Sequence, residues 1–212
     1  LSGMYAAYQM QLRSNITQEA VVEMQQNIRS AMYFLERDLR MAGCDPTCGA
    51  GAKIETALAN SLEFTMDITG GQNDGLDNDN DGTVDEDDES RFPDGDIDDT
   101  GERVRYELSH HADGSVSLGR DTGSGLQPLA RNIDALNFVY LDSDGDPTVD
   151  LNAVRTIQVT LVARSGKEVP VLMNKVVDNQ VYTNQRGQII LPAQNDNFRR
   201  MILTANIQCR NL

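Results

Sequence analysis

Apolar residues at Val21, Met24, Ile28, Met32, Leu35 and Leu39 recur in steps of three and four. That spacing lines one face of a 3.6-residue helix. The opposite face carries Glu23, Gln26, Asn27, Glu36, Asp38 and Arg40. Glu36 and Arg40 stand one turn apart with the acid N-terminal, the favourable order for an ion pair along a helix. Gly43 suits the left-handed residue that closes a helix, and Pro46 forbids continuation. Tyr5, Tyr8, Leu12 and Ile16 keep a similar spacing, so the helix is expected to run from residue 1. A helix already under way at the first residue, without a cap or an initiator Met, implies that a segment N-terminal to it is missing.

After the helix the period changes to two. Residues 62–68, 102–108, 115–119, 154–163 and 198–207 alternate or are rich in β-branched side chains, the mark of strands. A further strand is expected from Leu136 to Leu141, and weaker ones over 169–171 and 176–182. Residues 49–61 (GAGAKIETALANS) read as loop with a short helical piece, and 187–192 as irregular. Helices and strands do not alternate, which excludes a doubly wound fold. The expectation is an α+β chain: a helix over 1–43 packed on a mostly antiparallel β-rich head over 44–212. Residues 72–100 form an acidic insertion in that head.

Charge sharpens the view of that insertion. The 212-residue chain carries a net −15, yet Asp74 to Asp99 alone holds thirteen acids against one base, Arg91. Elsewhere twenty acids face seventeen bases, an ordinary balance. Such a charge argues against nucleic acid, which needs clustered Lys and Arg, and against an anionic membrane surface. No run approaches the roughly 18 apolar residues of a membrane span, and no signal peptide is visible. With no Trp and 5% aromatics, the core must rest on Val, Ile, Leu and Met.

Residues 77–88 (DNDNDGTVDEDD) fit the twelve-residue EF-hand loop. Asp77, Asp79 and Asp81 occupy positions 1, 3 and 5. Gly82 stands at the sharp turn, Thr83 offers its backbone carbonyl, and Asp85 and Asp88 occupy positions 9 and 12. Calcium takes six to eight hard oxygens, and alternate residues of a turning loop aim theirs at one centre. Position 12 is Asp where the longer Glu is usual, so Glu89 competes for it. No amphipathic helix flanks the loop, so the expectation is a structural Ca²⁺ in a β setting, not a sensor. The metal ligands expected are Asp77, Asp79, Asp81, Thr83, Asp85 and Asp88. The runs Asp94 to Asp99 and Asp142, Asp144, Asp146, Asp150 read as polar turns, with a second ion at either left open.

Cysteines at 44, 48 and 209 leave three states open: a short-loop disulfide between Cys44 and Cys48, a Cys44–Cys209 pair, or free thiols. The first is preferred and implies an oxidising compartment. His110 and His111 have no ligand spacing around them. No nucleophile elbow, phosphate loop or zinc-protease motif is present, so no enzyme is expected.

Several blocks then carry a family likeness. Glu23 to Arg29, Arg37 to Gly43 with Asp45-Pro46, Gly101 to Tyr106, Leu129 to Tyr140, and Phe198 to Leu212 with its closing Arg210-Asn211 follow one another in order. Together they resemble the PilW-type minor pilins of the type IV pilin and pseudopilin superfamily, over most of the chain except the insertion. The resemblance implies a mature N-terminus with a methylated Phe and a membrane-anchoring helix of about twenty apolar residues, neither of which is in this sequence. It implies other minor pilins, the major pilin and the inner-membrane assembly platform as partners. The implied role is in a tip complex that primes type IV pilus assembly. The implied location is the periplasmic face of the inner membrane before assembly, then the pilus fibre on the cell surface. A J-type pseudopilin of type II secretion and a calcium-dependent adhesion module are the alternatives.

Overall fold

The computed structural model describes residues 2–169 and 178–212, without the side chains of 2, 3, 6, 9 and 13. Helix α1 spans Ser2–Met41. Its buried face is the one the spacing predicts: Met24, Ile28, Met32, Leu35 and Leu39 are 5% exposed or less, and Ala31 joins them. Val21 is half-buried. Glu36 and Arg40 form the expected surface pair at 3.5 Å. Gly43 ends the helix at φ +76, and its amide donates to the Thr65 carbonyl at 2.9 Å. A Cβ there would stand 2.5 Å from Leu212 Cδ2 and 2.9 Å from the Asn211 carbonyl oxygen, so the C-terminal residues close directly over the helix end. Asn211 Nδ2 donates to the Arg40 carbonyl, satisfying one group the last helical turn leaves open.

Three antiparallel sheets follow. The first has the order β1-β2-β3-β4-β5, with β1 Ile54–Ala57, β2 Ser61–Thr65, β3 Arg103–His110, β4 Val116–Asp121 and β5 Gln127–Arg131. The second has the order β10-β7-β6, with β6 Ile133–Leu141, β7 Thr156–Arg164 and β10 Arg200–Gln208. A two-stranded ribbon pairs β8 Tyr182–Thr183 with β9 Ile189–Leu191. Helix α1 lies against β10, β7 and β5. Its apolar face meets Phe64, Val104, Tyr106, Leu118, Phe138, Ile157 and Leu161 in one core. The chain is thus α+β, helix on antiparallel sheets. Among the described residues no helix is long and apolar enough to cross a membrane.

Four expectations are corrected. Residues 54–57 are strand, not loop or helix; only Ile54 is fully buried, and pairing with β2 overrides the weak local preference of Glu-Thr-Ala. β5 was not anticipated because Pro128 argues against a strand, but this strand lies on a sheet edge, where a missing N–H is tolerated. β6 starts at Ile133, three residues early, because a bulge between Ile133 and Ala135 shifts the side-chain alternation. Ile189–Leu191, expected to be irregular, is β9. Of the weak strands expected over 169–171 and 176–182, residues 170, 171, 176 and 177 lie outside the described residues; of the others, Tyr182 begins β8, Asp178 makes an isolated bridge to Asp196, and 169 and 179–181 are not strand.

Asp38 departs from the polar helix face. It is 4% exposed, and its Oδ2 accepts from Tyr106 Oη at 2.7 Å and from Arg120 Nε at 2.6 Å. Burial and the Asp38 charge together push the Tyr106 hydroxyl far above its ordinary range. On the second sheet Arg200, with a side chain 1% exposed, is ringed by three carboxylates. Nε reaches Asp134 at 2.7 Å, Nη1 reaches Asp178 at 3.1 Å, and Nη2 reaches Asp196 at 2.7 Å.

Candidate metal centre

The acidic insertion leaves the first sheet after β2 and returns at β3, and its two ends are tied together. Glu102, fully buried, accepts through Oε1 from the Ile68 and Thr69 amides and the Thr69 hydroxyl, and its Oε2 accepts from the Asp99 amide. A buried carboxylate is tolerable here because donors saturate it. Gly70 bridges Pro93, and the Gly71 amide donates to the Phe92 carbonyl. Gly71 has no room for a side chain, since a Cβ would stand 2.9 Å from the Glu89 carbonyl oxygen.

Beyond this neck the loop folds on its own carboxylates. Asp77 accepts from the Asp81 and Gly82 amides, Asp79 from the Asp81 amide, and Asp81 from the Thr83 amide. Asn80 and Gly82 take positive φ, which turns the chain between them. A short 3-10 turn, Asp87–Arg91, follows. Its third residue, Glu89, is fully buried; it accepts from the Asn78 amide through Oε1 and from the Glu86 amide through Oε2.

Two groups of carboxylates lie close enough to hold one cation, each with its ligand oxygens within 4.8 Å of one another: Asp77, Asp79 and Glu89, and Asp79, Asp81 and Glu86. Asp79 belongs to both. Of the six ligands expected from sequence, Asp79 lies with Asp77 in one group and with Asp81 in the other. Asp85, at φ +60, instead accepts from the Gly75 amide, and Asp88 stands in the first turn of the 3-10 segment; neither carboxylate is in either group. Glu86 was missed. Its signal is the three-residue spacing to Glu89, which forms a reciprocal capping box at the start of the 3-10 turn. The donor set is oxygen only, the chemistry of a hard cation.

Carboxylates packed this way repel one another. Desolvation holds Glu86 above the usual carboxylate range, with Asp81, Asp88, Asp79 and Glu89 adding to it. Desolvation likewise raises Asp67, helped by Asp45 and Asp94, and raises Asp99, helped by Asp94 and Asp96. A carboxyl raised in the folded state binds more protons there than in the unfolded chain, so stability grows as pH falls toward the carboxylate range. Asp196 and Asp113 have the opposite sign: hydrogen bonds from Arg200 and Ser115 hold them below 3.8, so their contribution is lost only below that value. In chelator, the melting temperature should therefore rise on mild acidification from neutrality and fall again below 3.8. With a bound cation the rise should vanish, because the ion keeps the carboxylates deprotonated. Thermal scans across pH with and without chelator check both.

The other candidates make local hydrogen bonds. Asp142 accepts from the Asp144 and Asp146 amides, and Asp150 caps a short turn. His111 Nε2 shares a hydrogen bond with the buried Ser117 hydroxyl at 2.7 Å. The expected disulfide is absent: Cys44, Cys48 and Cys209 are free thiols. The Cys44–Cys48 turn is closed instead by Asp45, whose carboxylate accepts from the Gly49, Ala50 and Gly51 amides, with Cys48 at φ +57 on an exposed corner. Burial pushes the Cys209 thiol up to about 12, which makes it a poor nucleophile.

A second surface lies at the other end of the molecule. Met4, Tyr5, Tyr8, Met10 and Ile16 on α1 are each at least 44% exposed, far from the buried stretch that begins at Met24.

No protein-family model matches the chain. No curated protein sequence matches it. Among solved structures the chain is similar to a type IV-like pilin, TTHA1219 from Thermus thermophilus, at 14% identity and a TM-score of 0.48, over 89% of this chain and 97% of that one. A superposition that loose assigns no role to these residues.

Proposed function

We propose that this chain is a pilin-type subunit, a minor pilin that takes part in building a type IV pilus through protein–protein contacts. The observation that carries the reading is the length of α1 against what covers it. Forty residues of helix extend about 60 Å, yet among the described side chains full burial is confined to the stretch from Met24 onward. The N-terminal part bears Tyr, Met and Ile side chains exposed on a projecting rod, a surface suited to packing against neighbouring helices in a filament. The block resemblance gives the partners: other minor pilins, the major pilin and the assembly platform. The subunit would act at the tip complex, at the inner membrane before assembly and in the fibre afterwards. Contacts alone account for that role, and no catalysis is invoked.

We also propose that the 77–89 loop takes a structural calcium. Dense carboxylate favours Ca²⁺ over Mg²⁺, which keeps most of its waters and uses one or two carboxylates. Asp77, Asp79 and Glu89, or Asp79, Asp81 and Glu86, would provide such a set. At about ten times a dissociation constant in the 10⁻⁴–10⁻³ M range of extracellular modules, the ion adds about 1.4 kcal/mol. For a domain of this size that raises the melting temperature by roughly 3–6 °C. Asp79→Asn, at the residue both groups share, should abolish the loop's increment. No calcium-dependent shift at about 10 mM would sink this part of the reading while leaving the helix surface untouched.

A further inference from the structure

Helix α1 carries an exposed face opposite its buried stripe. Arg29, Tyr33, Arg37 and Arg40 follow one another in steps of four, four and three, which stacks them on one side of the helix. All four are exposed, Tyr33 at 64%. The middle pair is held in place by its neighbours. The Tyr33 and Phe34 rings meet edge to face with centroids 5.6 Å apart, and the Arg37 guanidinium lies 5.1 Å from the Phe34 ring centroid. Arg37 Nη2 also reaches Asp38 Oδ1 at 2.8 Å. Asp38 serves Arg120 as well, so one carboxylate stands between two guanidinium groups and the three together keep a net positive charge. Arg40 pairs with Glu36, while Arg29 makes no ion pair among the described residues. Arg210, also exposed, follows the chain past the helix end, where its neighbour Asn211 donates to the Arg40 carbonyl.

Tyr and Arg are the residue types that anchor protein interfaces, and side chains already fixed by their neighbours lose little freedom when a partner arrives. The charge of the face selects the partner. Between Asp74 and Asp99 the chain gathers thirteen acids against one base. Asp87, Asp88, Asp96 and Asp98 are exposed there, and among the described residues no Lys or Arg pairs with any acid of that stretch, those of α1 included. So dense a run of like charge repels itself and is relieved by cations from outside. We propose that the Arg29–Arg40 face of α1 binds the acidic insertion of a second copy of this chain. Tyr33 supplies the apolar contact at the centre, and the arginines supply the charge match that sets the register. The two patches differ and every copy carries both, so association runs head to tail and can continue beyond a dimer. This contact depends neither on the pilin reading nor on the loop ion.

Sedimentation velocity of the full chain tests it, in chelator so that the loop ion plays no part. The wild type should sediment faster as its concentration rises toward about 1 mM. The increase should vanish at high salt, where exposed charges are screened. The double variant Arg29→Glu, Arg40→Glu should sediment as a monomer at every concentration, and so should Asp87→Arg, Asp88→Arg. Mixed in equal amounts the two variants should associate again, because each keeps the patch the other lacks. All four positions are exposed, so both variants should keep the wild-type circular dichroism spectrum, and loss of association is not a failure to fold. A wild type that stays monomeric, or variants that associate as it does, would overturn the contact. Variants that stay apart when mixed would overturn it too, since the two patches would then not meet each other.

Discussion

Replacing Arg200 by Ala should destabilise the head by about 3–5 kcal/mol, the range for breaking a buried ion pair by removing one partner. In a chain of this size that lowers the melting temperature by roughly 6–20 °C. Arg200 is 1% exposed, and its planar fork bridges Asp134 on β6, Asp178 beside the ribbon and Asp196 before β10. Without it, Asp134 and Asp178 remain as nearly buried carboxylates and Asp196, 27% exposed, loses its two contacts; Asp134 keeps Arg164 at 3.4 Å. Arg200→Lys should recover only part of the loss, because a single ammonium cannot serve the bidentate contact to Asp196 and reach Asp134 as well. The pH dependence has a definite sign. Arg200 holds Asp196 below 3.8, so the stabilisation it provides is present above that value and is lost as pH falls through the lowered one. The gap between wild type and Arg200→Ala should narrow in acid. Chemical denaturation at neutral and low pH measures both, and equal stability at neutral pH would show that the cluster contributes nothing.

Asp38→Ala should cost about 3 kcal/mol, because it strands three partners, Tyr106, Arg120 and the neighbouring Arg37, which reaches Asp38 Oδ1 at 2.8 Å. The Tyr106 hydroxyl is fully buried and would lose its acceptor, while the Arg120 side chain, 25% exposed, would lose its anion. Tyr106→Phe alone should cost less, and the double variant should cost less than the two added together, since they share one interaction. Additive losses in a double-mutant cycle would contradict the contact. This triad is the polar lock between α1 and the first sheet. It fixes the direction in which the uncovered part of the helix projects, so a loosened lock should also weaken any contact that part makes.

How much of this was legible in the sequence depends on which physical signal carried it. The α1 face from Met24 to Leu39 was readable because burial on one side imposes a period that local residues must obey. β7 was readable because it is buried and rich in Val, Ile and Thr. β1 and β5 were not, because their place in the sheet comes from pairing with β2 and β4 and not from their own residues. Asp38 could not be found from spacing: it lies on the flank of the apolar face, and besides its neighbour Arg37 its partners are Tyr106 and Arg120, 68 and 82 residues away. In the insertion, Asp77, Asp79 and Asp81 were legible because alternate residues of a turning loop must converge. Glu89, legible as the competitor for position 12, lies with Asp77 and Asp79, while Glu86, the residue that caps the 3-10 turn, lies with Asp79 and Asp81 and was not singled out.

The insertion and the helix divide the labour in this account. In the function proposed, a cation orders the first and the second meets neighbouring subunits. Surface filaments, counted by electron microscopy on cells of the native host lacking this gene, test the pilin reading most directly. Filaments should be lost or sharply reduced and restored by the intact gene. They should not be restored by a copy carrying Tyr5→Ser, Tyr8→Ser and Ile16→Ser on the projecting helix. Unchanged filaments in the deletion strain, with surface attachment lost, would contradict the assembly role and favour an adhesion module in its place.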